Sequence, residues 1–388
     1  MKELREKLDT LCVFRDFLND PVISALRNFL DNPTSSAYAE FVGRLYEANG
    51  GNISEHIREL CENSSNVYVK LLGKGEEAPD HIYNCLMSEL DILQEVAELT
   101  KEKLCGTLDY QGFLPAFAVS KLLLKDHYLH RTNHIEKYGY GIYAKNRMFY
   151  MDEQDNIVPV HNPDRTALSQ LVDYERERQI IVDNTRALLV GKPAANILLT
   201  GDAGTGKSST VKAVANALWK DGLRLIEVRK DQLRAIPKIL DELSENPLKF
   251  VLFIDDLSFL KDDDNFNALK AVLEGSVTAK SSNVVIYATS NRRHIIKEKF
   301  SDREGDDIHR NDTMQELISL SERFGIHVTF SKPNKETFLK IVRHLANEHE
   351  LEMPQEELDA QAERFALERG GRSARLARQF VDGLLSKD

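Results

Sequence analysis

The sequence is poor in cysteine and tryptophan, has no long apolar run, and carries no excess of positive charge. Its four cysteines, Cys12, Cys61, Cys85 and Cys105, all fall in the first third of the 388 residues, and no two form a C-x-x-C pair. This spacing argues against a disulfide framework or a cysteine-held zinc and predicts reduced, buried thiols. No apolar run approaches the ~20 residues that a membrane helix needs. The start, Met1-Lys2-Glu3-Leu4-Arg5-Glu6, is charged and amphipathic and lacks the apolar core of a signal peptide. Together these absences predict a cytoplasmic protein with no membrane partner. Net charge is −11, and residues 1–140 hold 15 Lys and Arg against 22 Asp and Glu. So acidic a front end is a poor general binder of nucleic acid. Internal repeats and low-complexity segments are missing too. What remains is an ordinary globular composition, 42% hydrophobic and 29% charged, with length for roughly two to three domains.

The most informative stretch is Ile197-Leu198-Leu199-Thr200-Gly201-Asp202-Ala203-Gly204-Thr205-Gly206-Lys207-Ser208-Ser209. An apolar, strand-like run feeds a glycine-rich turn, and the turn feeds a helix-forming run from Val211 to Trp219. Gly201, Gly206, Lys207 and Ser208 match the P-loop pattern, and Gly204, Thr205 and Ser209 lie in or beside the same loop. Glycines let the backbone fold tightly, so successive N–H groups point inward at phosphate oxygens. The helix N-terminus adds its partial positive charge. Lys207 is placed to reach the β- and γ-phosphates of ATP, and Ser208 to hold Mg²⁺.

Before this stretch the chain reads as helices. Leu4, Leu8, Leu11, Phe14 and Leu18 recur at helical spacing, Asp20-Pro21 opens a new segment, and Asp80 to Leu104 is a long periodic helix or a pair of them. His127, His130 and His134 share one helix face. With no acidic or cysteine partner in the pattern, a structural face is preferred to metal ligation. Residues 139–163 read as a β-hairpin linker, with short strands at Gly141–Ala144, Met148–Met151 and Ile157–Val160. From Thr166 strands and helices alternate. After the P-loop strand come Leu223–Val228, Phe250–Ile254, Val284–Thr289 and Ile326–Phe330. Near-continuous apolar strands alternating with helices predict an α/β fold, a parallel five-stranded sheet covered on both faces. The expected domains are 1–138 (helical), 139–163 (hairpin), 164–333 (α/β nucleotide-binding) and 334–388 (helical lid).

Phosphoryl transfer needs a metal, a positioned water and charge compensation. Asp255-Asp256 follows the apolar strand Phe250–Ile254 and reads as Walker B. Asp255 would support Mg²⁺ through water, and Asp256 would orient or deprotonate the attacking water. Asp262-Asp263-Asp264 lies off any strand end and reads as a solvated turn. Asn291 ends the run Ala288-Thr289-Ser290-Asn291, where a polar side chain could hydrogen-bond the γ-phosphate or its water.

The order P-loop, Asp255-Asp256, Asn291, Ser321-Glu322-Arg323-Phe324-Gly325 and Gly370-Gly371-Arg372 resembles the AAA+ ATPases over about residues 166–388. Further stretches resemble an uncharacterised bacterial AAA+ family catalogued as domain of unknown function eight-fifteen. They are Asp183-Asn184-Thr185, Phe253 to Phe259, Leu269 to Gly275, Ala288 to His294 and Leu320 to Gly325. The resemblance implies that Lys207 and Ser208 are Walker A, Asn291 sensor 1, Arg323 the arginine finger and Arg372 sensor 2, with Arg375 the alternative. Asp173-Tyr174 and Ile180 fall where the adenine pocket would form. Asp256 stands where most of these proteins carry Glu, which leaves turnover rate open. The resemblance further implies an ATP-dependent homo-oligomer, a ring or open ring, that remodels an unidentified protein partner. Two alternatives stay open: a slow or non-hydrolysing ATP-gated binding module, and a helicase-loader-like ATPase associated with nucleic acid. Basic residues at Arg292, Arg293, His294, Lys297 and Lys299, and again at Arg364, Arg369, Arg372, Arg375 and Arg378, read first as solvated faces and nucleotide-sensing arginines. No aromatic pore loop follows the second core strand, where Val228 leads into Arg229-Lys230-Asp231-Gln232, so threading of unfolded protein loses weight.

Overall fold

Capping residues set the helix boundaries in the first part of the chain. Asp20 accepts hydrogen bonds from the amides of Val22 and Ile23, 3.0 Å each, and starts the helix Pro21–Asp31, which has proline at its first position. Thr34, Asn52, Asn66 and Thr100 cap Ser35–Asn49, Ile53–Asn63, Val67–Gly73 and Lys101–Cys105 in the same way. The periodic run from Asp80 forms two helices, Asp80–Ala97 and Lys101–Cys105. This is a computed structural model, and it describes residues 2–106, 108–257, 264–274, 282–291 and 322–386. Several expectations fall outside those residues: the basic run Arg292 to Lys299, Asp262 and Asp263, and the Ser321 end of the Arg323 motif.

Two units result, Met1–Lys145 and Asn146–Asp388. The first is helical around a core that includes Leu8, Phe14, Phe29, Phe41 and Leu90. Its thiols differ from one another more than the sequence suggested. Cys61 is buried, Cys85 and Cys105 are partly buried, and Cys12 is exposed. Burial pushes the Cys61 thiol well up. Burial and the carboxylate of Glu89 push Cys85 up to about 11. His127 Nε2 lies 2.7 Å from Glu62 Oε1, and His130 Nε2 faces the hydroxyl of Tyr138.

The second unit is built on one sheet of seven strands rather than five. They are β1 (Met148–Met151), β2 (Ile157–Pro159), β3 (Ile197–Gly201), β4 (Leu223–Glu227), β5 (Lys249–Ile254), β6 (Val284–Ser290) and β7 (Ile326–Phe330), in the order β2-β1-β4-β5-β6-β3-β7. All neighbours are parallel except β1 and β2. The two extra strands come from the segment expected to be a linker hairpin. Met148, Phe149 and Met151 are buried. β1 pairs in parallel with β4, Met148 opposite Leu225, so it covers an edge that would otherwise expose a row of unpaired backbone groups. The strand expected at Gly141–Ala144 is instead part of a short helix, Ile142–Lys145, in the first unit.

The core strands are apolar because both of their faces are buried, as the continuous burial along β3 and β5 shows. Ile197, Leu199, Val251, Phe253, Tyr287 and Val328 pack with Ile181 of the helix Glu175–Leu189 and Val211 and Val214 of the helix Lys207–Leu218. The strand order puts β3 between β6 and β7, and β5 beside β6. The loops after β3, β5 and β6 therefore open side by side at the carboxyl edge of the sheet, where ligands of open α/β sheets bind. Three further helices, Lys335–Glu348, Gln355–Glu368 and Ala374–Leu385, pack a core of their own around Phe338, Val342, Ala362 and Phe380.

Candidate functional site

Gly201, Gly204 and Gly206 have φ of 140°, 78° and 92°, a region that only glycine enters freely. At Gly201 the need is also spatial, since a Cβ would stand 2.0 Å from the Phe330 carbonyl oxygen on β7. The loop so shaped delivers Lys207 to the start of its helix, with the side chain turned back over the loop. Lys207 Nζ donates to the carbonyls of Gly201 at 2.9 Å and Asp202 at 2.8 Å and to Asn291 Oδ1 at 3.1 Å. Burial pulls the Lys207 ammonium below its ordinary pKa, against the pull of Asp202, Asp255 and Asp256, while the charge of Arg375 adds to the lowering.

Asp255 and Asp256 leave the end of β5 as a turn. Ser208 Oγ donates to Asp255 Oδ1 at 2.6 Å. Asn291 Nδ2 donates to Asp256 Oδ1 at 2.7 Å. Asn291 thus touches both Lys207 and Asp256, and three separate loops meet in one hydrogen-bonded cluster. Ser208 and Asp255 are hard oxygen donors, the kind Mg²⁺ prefers when it also takes oxygens from phosphate and water. Their adjacency at the loop mouth fits that ion.

The cluster forms the floor of a cavity of about 550 Å³, within the usual range for small-molecule sites. Gly204 to Thr210, Asp255, Asp256, Thr289 and Asn291 line it, and Leu171, Val172, Tyr174, Ile341 and Leu345 add apolar lining. Of the residues expected near a base, Tyr174 is there, and Asp173 and Ile180 are not among the lining residues. Asp173 and Tyr174 both have left-handed backbone, φ 66° and 61°, which is costly for residues with a Cβ. The Tyr174 ring lies 5.2 Å from that of Phe330, its hydroxyl donates to the Ser331 carbonyl, and burial pushes its pKa up to about 12.

The two sensor 2 candidates, Arg372 and Arg375, take different places. Arg372 makes a two-pronged pair with Glu363, 2.9 and 2.8 Å, and does not line the cavity. Arg375 and Arg378 do, and the Arg375 amide donates to the Gly204 carbonyl at 3.2 Å. Gly370-Gly371 follows one helix and Ser373 caps the next, and both Ser373 and Arg375 stand against Gly204 of the loop. Arg323 also lies outside the cavity lining and pairs with Glu274. Sequence reasoning passed over Thr289, Arg178 and Asp164 as lining residues. Thr289 carried a signal, as a polar residue within the buried strand Val284–Ser290.

A family model described as "Protein of unknown function (DUF815)" matches residues 144–388, more than half of the chain. The chain belongs to the DUF815 family. The matched span begins close to the boundary between the two units, so the DUF815 region holds the whole P-loop unit. No curated protein matches the chain. Among solved structures, a mutant RuvB from Thermotoga maritima is 15% identical, with 56% of this chain and 63% of that one covered and a TM-score of 0.39. The RuvB Holliday junction branch migration motor of the same organism is 14% identical, with 56% and 72% covered and a TM-score of 0.36. The match spans less than two thirds of the first of these chains.

Proposed function

We propose that this chain is an AAA+ ATPase that binds ATP with Mg²⁺ at the P-loop and hydrolyses it. The observation that carries the reading is the Ser208–Asp255 hydrogen bond of 2.6 Å at the mouth of a loop whose lysine is buried beneath it. A serine and an aspartate in contact at the carboxyl edge of a parallel sheet form the pair that a nucleotide-bound metal needs. Bound there, Mg²⁺ would neutralise charge on the β- and γ-phosphates. Lys207 gives up its carbonyl and Asn291 contacts for phosphate oxygens. Asp256 takes the proton of the attacking water, and Asn291 orients that water or the γ-phosphate. Leu171, Val172, Tyr174, Ile341 and Leu345 offer the base an apolar seat.

Steady-state phosphate release with Mg²⁺ and ATP tests this, with Asp255→Ala as control. Release above the Asp255→Ala background is expected. No release together with no nucleotide binding overturns the proposal. A second reading, an ATP-gated binding module, draws on one observation: the short acid Asp256 is held by Asn291 at 2.7 Å. Saturable ATP binding without release favours it. The finer proposal, an ATP-dependent homo-oligomer that remodels a protein partner, rests on Arg323. That side chain lies outside its own cavity's lining and pairs with Glu274, so action at a neighbour's site would require it to exchange that carboxylate for the neighbour's phosphate. A helicase-loader-like role would appear as salt-dependent binding to DNA.

A further inference from the structure

We propose that Thr289 is a positioning residue that sets the geometry of both acidic side chains, and so the site's hold on a divalent cation. The inference deepens the ATPase reading and rests on it. Thr289 is 2% exposed, on strand β6. A buried hydroxyl must find partners or cost stability. This one finds both on the turn after the neighbouring strand. Thr289 Oγ1 donates to Asp255 Oδ1 at 2.6 Å and accepts from the Asp256 amide at 2.9 Å. The Thr289 carbonyl accepts from the Leu257 amide at 2.6 Å. One residue thus binds three consecutive residues of the turn.

Two consequences follow from this geometry. Asp255 Oδ1 is saturated, since it accepts from Ser208 Oγ, Thr289 Oγ1 and, at 3.2 Å, the Asp256 amide. Among the described residues its Oδ2 has no hydrogen bond, and Asp255 is exposed. The carboxylate is therefore fixed by one oxygen and offers the other. Asp256 sits at φ 53°, a left-handed conformation that is costly for a non-glycine residue and needs surroundings that impose it. The Thr289 hydroxyl and carbonyl hold the amides on either side of that peptide, and Asn291 receives the side chain that results. Groups that orient a metal's ligands are typically worth about 10–100-fold in metal affinity or activity.

The test compares Thr289→Val, which keeps the shape and loses the hydroxyl, with Thr289→Ser, which keeps the hydroxyl. Cooperative thermal unfolding checks that both are folded. The readout is Mn²⁺ affinity, by electron paramagnetic resonance, in the presence of a non-hydrolysable ATP analogue, alongside kcat and KM for ATP. Thr289→Val is expected to weaken Mn²⁺ binding and lower kcat by about 10–100-fold, with metal-free analogue binding unchanged and Thr289→Ser close to wild type. Wild-type Mn²⁺ affinity in Thr289→Val overturns the proposal. So does equal impairment in both variants, which would make the methyl packing responsible. Asp255→Ala separates the two levels. If it too leaves Mn²⁺ affinity unchanged, the metal reading of the site fails, and this inference with it.

Discussion

Replacing Arg375 and Arg372 one at a time by glutamine separates the structure from the sequence pattern most sharply. Arg375 lines the cavity, its amide bonds to Gly204 in the phosphate loop, and its charge is felt at Lys207. A guanidinium there is placed to make one charge-assisted hydrogen bond to a phosphate, worth about 1.5–3 kcal/mol. The loss converts to roughly 10- to 150-fold in nucleotide affinity. Arg372 is occupied by Glu363 through both prongs, and the pair holds its pKa above, and that of Glu363 below, the ordinary values. Arg372→Gln should leave nucleotide affinity unchanged. Titration of a fluorescent ATP analogue measures both, with thermal unfolding to show that each variant is folded. If Arg372→Gln weakens binding and Arg375→Gln does not, the placement of the lid helix Ala374–Leu385 over the loop is wrong.

Three further outcomes are expected. Lys207→Ala should weaken the same analogue by on the order of a hundredfold, since it removes the Lys207 ammonium seated on the loop; unchanged affinity contradicts the P-loop reading. Arg323→Ala should bind ATP normally yet hydrolyse it poorly, because an arginine finger is worth about 10³–10⁵ in rate. Mixing it with Lys207→Ala subunits should restore part of the activity, and assembly without restoration rules out action across an interface. Burial raises the Asp20 pKa, but His56 and the Val22 and Ile23 amides outweigh it and hold Asp20 below 3.8. A depressed carboxyl contributes stability above its unfolded pKa and loses it as pH falls through the folded one. Thermal melts should therefore show the penalty of Asp20→Ala, about 1 kcal/mol at neutral pH, shrinking below pH 3.8, and a pH-independent penalty would refute the assignment.

The sequence by itself determined the order of chemistry along the chain. Gly201, Gly206, Lys207 and Ser208 declared a loop because only glycine tolerates its backbone. The five apolar runs declared strands because a sheet covered on both faces leaves no polar side. Asp20-Pro21 announced a helix start because a short polar side chain there satisfies orphan amides and proline suits the first helical position. These are local constraints, and local sequence records them. The tertiary structure decided what depends on register between distant segments. β1 joined the sheet because the edge of β4, some 75 residues on, lay open to it. Arg375 lines the cavity and Arg372 pairs with Glu363 because of how the helix Ala374–Leu385 lies against Gly204. Thr289 became a partner of Asp255 and Asp256 only when β6 was laid beside β5. Each is a hydrogen bond or an edge closed across long separations, and no periodicity within one segment encodes it.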